Sequence, residues 1–186
     1  MEKSRAKTVV MLAFADAQVL DVVGPMQMLA AVNDERPRGK PAYALTLLAE
    51  EKGPFRTAGG SRLDADGSYR DLPQRIDTLM IAGGEIRNAL RDPAMLKAVR
   101  EGARRARRVV SICSGAFFLA VTGLLKGRRA TTHWRSVDIL ANRFPGITVE
   151  PDAVYVRDGK FWSSAGVTAG MDLALALVRE DFGDDI

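Results

Sequence analysis

The 186-residue chain has one cysteine and one histidine. A single cysteine closes no internal disulfide, and one cysteine with one histidine is a poor metal-ligand set. Neither a metal nor another cofactor is therefore expected. No apolar run approaches the ~20 residues that cross a bilayer, so no membrane partner is expected. The start, Met1 to Lys7, is charged, and the apolar run after it is short and lacks a small-residue cleavage pattern, which argues against a signal peptide. With so little cysteine, the expectation is a reducing cytoplasm. Aromatic residues make up 6% of the chain and none interleaves with its densest basic run, Arg104, Arg105, Arg107 and Arg108. That run is read as the solvated, dipole-matched end of a helix rather than as a phosphate-binding patch.

What remains is ordinary globular composition, 47% hydrophobic and 27% charged, at a length that suits one domain with a real core. Apolar, β-branched runs read as strands over Thr8 to Phe14, Tyr43 to Ala49, Thr78 to Ala82 and Arg108 to Ile112, with a short one at Ala130 to Thr132. Val154 to Val156 and Phe161 to Ser163 flank an Asp158-Gly159 hairpin signal. Helical spacing covers Pro93 to Arg105, Gly115 to Val121, Val137 to Phe144 and Ala169 to Glu180. A further helix opens or kinks at Gly24-Pro25 and runs to Val32, and Asn33 to Pro41 reads as a loop. Strands alternating with helices predict an α/β fold, a mostly parallel sheet sandwiched by helices.

The informative stretch is Val109-Val110-Ser111-Ile112-Cys113-Ser114-Gly115-Ala116. An apolar strand runs straight into a helix, with small residues two before and two after Cys113. A nucleophile elbow needs that spacing because larger side chains collide in so tight a turn. The thiol would stand at a helix N-terminus, where dipole and free N–H groups favour thiolate, with the Ser114 N–H aimed at a developing oxyanion. Gly83-Gly84 ends another strand, as a plain turn or as a second oxyanion donor. Asp21 follows the first strand, as a helix-start residue or as an acid reaching the same sheet edge. His133 follows Ala130 to Thr132, where a base is expected. Ser164 and Thr168 end a further strand and open the last helix, lining the same crevice or serving as N-cap and turn.

Together these segments resemble the ThiJ/PfpI superfamily, whose fold is like class I glutamine amidotransferases, flavodoxin-like with a nucleophile elbow. The resemblance rests on Arg107 to Phe117, Gly123-Leu124-Leu125, Gly127 to Trp134, Leu20 to Pro25 and Asp77 to Gly84. It implies a reactive cysteine at Cys113, an acidic partner at Asp21, a histidine at His133 and an oxyanion-type glycine at Gly83 or Gly84. Arg135 stands where a Cys-His-Glu triad would place its acid, which argues against glutamine hydrolysis. Pro151 to Gly159 and Ser163 to Leu175 look most like the N-terminal sensor domain of AraC-type transcriptional regulators. The isonitrile hydratases share the Leu-Asp-x-x-Gly-Pro and Ala-Thr-Thr-His-Trp segments. The sensor reading is favoured. It implies a small-molecule ligand over Cys113, DNA contact only through a helix-turn-helix domain following residue 186, and a homodimer. The alternative is a cysteine-dependent hydratase using Cys113 and Asp21; glyoxal handling or chaperone activity is a weaker third.

Overall fold

The computed structural model describes residues 5–35 and 40–186. Seven strands form one sheet in the order β10-β11-β7-β6-β1-β2-β5, built from β10 (Tyr155–Asp158), β11 (Phe161–Ser164), β7 (Ala106–Ile112), β6 (Ile76–Ile81), β1 (Lys7–Leu12), β2 (Tyr43–Ala49) and β5 (Gly67–Ser68). All neighbours are parallel except β10 with β11, which the Asp158-Gly159 turn makes antiparallel. β1 lies inside the sheet, in register with β2 on one side and β6 on the other. Val9, Val10, Met11 and Leu12 are fully buried, at about 1.5–3 kcal/mol per side chain. That two-faced burial is why the strand reads as an unbroken apolar run.

The helices are α1 (Val19–Asp34), α2 (Pro93–Arg105), α3 (Ala116–Val121), α4 (Val137–Arg143) and α5 (Ala169–Phe182). Small pairs complete the chain: the antiparallel β3 (Gly53–Arg56) and β4 (Arg62–Ala65), and β8 (Arg129–Ala130) beside β9 (Thr148–Val149). Asp92 caps α2 by accepting from the Ala94 N–H at 2.8 Å, and Pro93 fills its first position. No helix among the described residues is long and apolar enough to cross a membrane.

Two expectations are corrected. The α1 helix begins at Val19, so Pro25 lies inside it and does not open it. Proline has no N–H, and the carbonyl one turn back, that of Asp21, therefore loses its helical donor. The helix also runs on to Asp34, because Asn33 accepts from the N–H groups of Ala42 and Tyr43 and donates to the Tyr43 carbonyl, tying it to β2. Residues 36–39 of the expected loop lie outside the described residues.

The arginine run is the second correction. α2 ends at Arg105, whose guanidinium bonds the Leu72 carbonyl. Arg108 belongs to β7 and is buried, with its guanidinium on Thr78, Glu180 and Asp181. Asp181 also accepts from Arg107 and from the Tyr43 hydroxyl, and Lys7 stands 3.6 Å away. Only Arg104 and Arg107 of the four are exposed. Alternation along a strand, not solvation of a helix end, decides which arginines turn inward.

Candidate functional site

The order in which strands are added to the sheet reverses between β1 and β6, and in such sheets a crevice opens at the carboxyl ends of the strands beside that switch. Three connections meet there: β1 to α1, which carries Asp21; β6 to Gly83-Gly84; and β7 to Cys113. Cys113 has φ 56°, the left-handed region that an L-residue enters at a steric cost. The elbow expected from the small flanking residues is formed, with Cys113–Gly115 as a single turn leading into α3. A Cβ on Gly115 would strike the Ile81 and Ala82 carbonyl oxygens, so this position accepts no side chain. The Cys113 N–H donates to the Ala165 carbonyl, and the Thr132 hydroxyl donates to the Cys113 carbonyl.

Asp21 is fully buried, and neither carboxylate oxygen makes a hydrogen bond of normal geometry. The groups facing it are the Cys113 thiol and the N–H groups of Gly83 and Val167. Burial outweighs their pull and raises its pKa from 3.8 to about 6. Cys113 is raised to about 12, first by burial and then by the negative charge of Asp21, against the lowering effect of the Ser114 N–H. This runs opposite to the expectation of a dipole-stabilised thiolate. A six-residue helix end does not offset desolvation beside a carboxylate. Iodoacetamide should therefore label the native protein at pH 7 at least ~100-fold more slowly than a free cysteine, the rate climbing about tenfold per pH unit towards pH 11. A rate that levels off below pH 8 would mean the thiolate is the ground state.

The two glycines have different neighbours. Gly83 faces the Asp21 carboxylate, and its own Cβ would come within 2.7 Å of the Ser114 nitrogen and 2.8 Å of Asp21 Oδ2. The Gly84 N–H donates to Ser114 Oγ at 2.9 Å, which donates back to the Gly84 carbonyl at 3.0 Å. Gly84 has φ 144°, and a Cβ would collide with Asp16 and Ala17. Gly83→Ala should push the elbow and the carboxylate apart, at a cost of about 1–3 kcal/mol, measurable as a lower urea midpoint. An unchanged midpoint would mean the crevice is looser than these distances.

Cys113, Asp21, Gly83, Gly84 and Ser114 are thus brought together. His133 stands at the rim. Its Nδ1 accepts the Arg135 N–H at 3.3 Å, its ring stacks on Trp134 and abuts Gly166, and no hydrogen bond joins it to Cys113 or Asp21 among the described residues. Burial and then the Arg135 charge hold its pKa below 6.5. Ser164 is fully buried at the end of β11 with its hydroxyl unpartnered. Thr168 precedes α5 with no side-chain capping bond and is exposed. Sequence reasoning missed Val167. It has φ 45°, a conformation a β-branched residue rarely adopts, and no local signal announces it. Thr132 was also missed as a holder of the elbow, although it lies within a segment already singled out.

A parallel sheet with an elbow cysteine and a buried carboxylate at the switch point defines a class of α/β protein. The chain belongs to the DJ-1/PfpI family, whose profile matches residues 7–180. It is 34% identical over 175 residues to an isonitrile hydratase of Pseudomonas putida, covering 94% of this chain and 72% of that protein. It is 31% identical over 144 residues to the HTH-type transcriptional regulator CdhR of Pseudomonas aeruginosa, covering 77% of this chain and 42% of the regulator. The crystal structure of a ThiJ/PfpI family protein from Pseudomonas syringae superposes with a TM-score of 0.83 at 30% identity, over 94% of this chain and 69% of that one.

Proposed function

We propose that this domain is the ligand-binding part of a transcriptional regulator and takes up a small amine, amide or carboxylate in the crevice over Cys113. The observation that carries the reading is the state of the thiol. Burial and the Asp21 carboxylate it faces both raise the thiol, and burial raises Asp21 in turn, so both groups favour their protonated forms over a reactive thiolate. The Gly84 N–H is taken by Ser114 Oγ, the Gly83 N–H faces the Asp21 carboxylate, and His133 makes no hydrogen bond to Cys113 or Asp21 among the described residues. Such a crevice recognises better than it turns over. DNA contact would belong to a separate helix-turn-helix domain, as the name of the Pseudomonas aeruginosa relative suggests, and two copies would act together.

The second reading is a hydratase, favoured by the facing Asp21 and Cys113 and by the likeness to the isonitrile hydratase. Sγ would bond to the terminal carbon of an isonitrile while the thiol proton passes through Asp21 to the same carbon, forming a thioimidate. Water would then add at that carbon and the C–S bond break, releasing an N-substituted formamide and restoring the thiol. A thermal-shift screen of amines, amides and carboxylates, run beside an assay for formamide from an alkyl isonitrile, separates the two. A ligand at 100 times its Kd should add about 2.7 kcal/mol of stability with no formamide formed. Formamide production that vanishes in Cys113→Ser and in Asp21→Asn would establish the hydratase instead.

A further inference from the structure

The end of α3 remote from Cys113 carries a second concavity. It has a volume of about 250 Å³ and lies between the last turn of α3, the end of α4 and the turn into β9. Ala120, Phe144, Pro145 and Ile147 give it a mainly apolar lining, and Phe144 rests edge-on against Phe117 of α3 with ring centroids 6.4 Å apart. Two cations, Lys126 and Arg143, flank this apolar floor. Neighbouring basic residues are neutralised: Arg128 by Asp158 and Arg129 by Glu150. Lys126 and Arg143 have no acidic partner among the described residues, and the Arg143 guanidinium lies over the Phe144 ring, 6.0 Å from its centroid. Gly123 and Gly127, with φ 76° and 73°, turn the chain beside Lys126, and a Cβ at either would meet nothing within 4 Å.

An apolar pocket with a few converging polar groups is the usual form of a small-molecule site. Here the flanking charged groups are both positive and have no acidic partner among the described residues, so the complementary occupant is an anion on an apolar body. The geometry points to a second ligand site in this groove, for a small aryl or branched-alkyl monocarboxylate, with the carboxylate on Lys126 and Arg143 and the hydrocarbon on Ala120, Phe144 and Ile147. The volume of about 250 Å³ is at the small end for ligand pockets and suits a compact occupant. The assignment is independent of what the Cys113 crevice takes. The competing explanation is that Arg143 only answers the negative end of the α4 dipole, where it occupies the last turn.

Calorimetric titration with sodium phenylacetate and with neutral phenylacetamide, at low salt, tests this. Phenylacetate should bind saturably at one equivalent, about tenfold or more tighter than the amide. Binding should weaken by about the same factor in the Lys126→Gln/Arg143→Gln double variant, whose glutamines keep most of the side-chain length. It should be lost in Ala120→Phe, which fills the floor, and persist in Cys113→Ser. Circular dichroism verifies that each variant is folded. The assignment is overturned by the absence of saturable binding, by equal affinity for acid and amide, by full affinity in the double variant, or by loss of binding in Cys113→Ser. That last result would send the ligand to the Cys113 crevice. A dipole-only role for Arg143 predicts a lower melting temperature in Arg143→Gln with no phenylacetate binding to either protein.

Discussion

Replacing Asp181 by alanine is expected to cost about 3–5 kcal/mol, the penalty for stranding a buried charge. The charge stranded is Arg108, whose side chain is 3% exposed and which sits between β6, β7 and the last turn of α5. Lys7 and Arg107 are more exposed, and water can take over their share. Glu180 remains on one Arg108 nitrogen but is already shared with Arg157. Burial alone would raise the Asp181 pKa. The charge and hydrogen bond of Arg108, with Tyr43 and Lys7, outweigh it and hold the carboxyl below 3.8. Its contribution is therefore complete above pH 3.8 and fades as pH falls through the lower folded value. Urea unfolding at pH 7 measures the loss. A change under 1 kcal/mol would mean water reaches Arg108. Pairing Asp181→Leu with Arg108→Met should recover most of the stability, since two apolar residues leave nothing unpaired.

Asp21→Asn should move stability the other way. The carboxyl titrates at about 6 in the folded chain and 3.8 when unfolded. Between those values the folded state holds the extra proton, so stability falls as pH rises through the window, and the whole cost persists above it. The difference of about 2 pH units corresponds to about 3 kcal/mol. Asparagine has the same shape and no charge. Its gain over the natural chain should be small at pH 3.5, grow between pH 4 and 6, and level off near 3 kcal/mol. Melting curves across that range decide it, and a pH-independent difference would show that Asp21 is not desolvated as described. A residue whose removal stabilises the fold is retained for something other than folding.

Much of this was legible because strands and elbow are locally encoded. Tyr43–Ala49 and Pro93–Arg105 are bounded as their patterns indicate, the first by its apolar run and the second by Asp92-Pro93 at its start. The elbow follows from Ser111, Cys113 and Gly115, because only small residues pass so close to the neighbouring strand. What could not be read depends on distant chain. Arg108 turns inward because α5 brings Asp181 to it from 73 positions away. The thiol pKa depends on Asp21, which is remote in sequence, and on burial, which no motif states. The Val167 conformation runs against its own preference and is held by the surrounding packing. His133 was placed on the correct edge, but its orientation was not visible, since Arg135 and Trp134 set it.

The contact between α1 and α5 has a consequence for how the protein is made. Gly24 lies against Met171, and Gly170 against Ile112 and Pro25, so the helix carrying Asp21 is seated by one that begins at residue 169. While the chain is being synthesised, β1, β2 and β6 can associate early, but α5, the helix against which α1 packs, arrives last. A chain stalled before that helix would hold every site residue named here without the helix that seats α1.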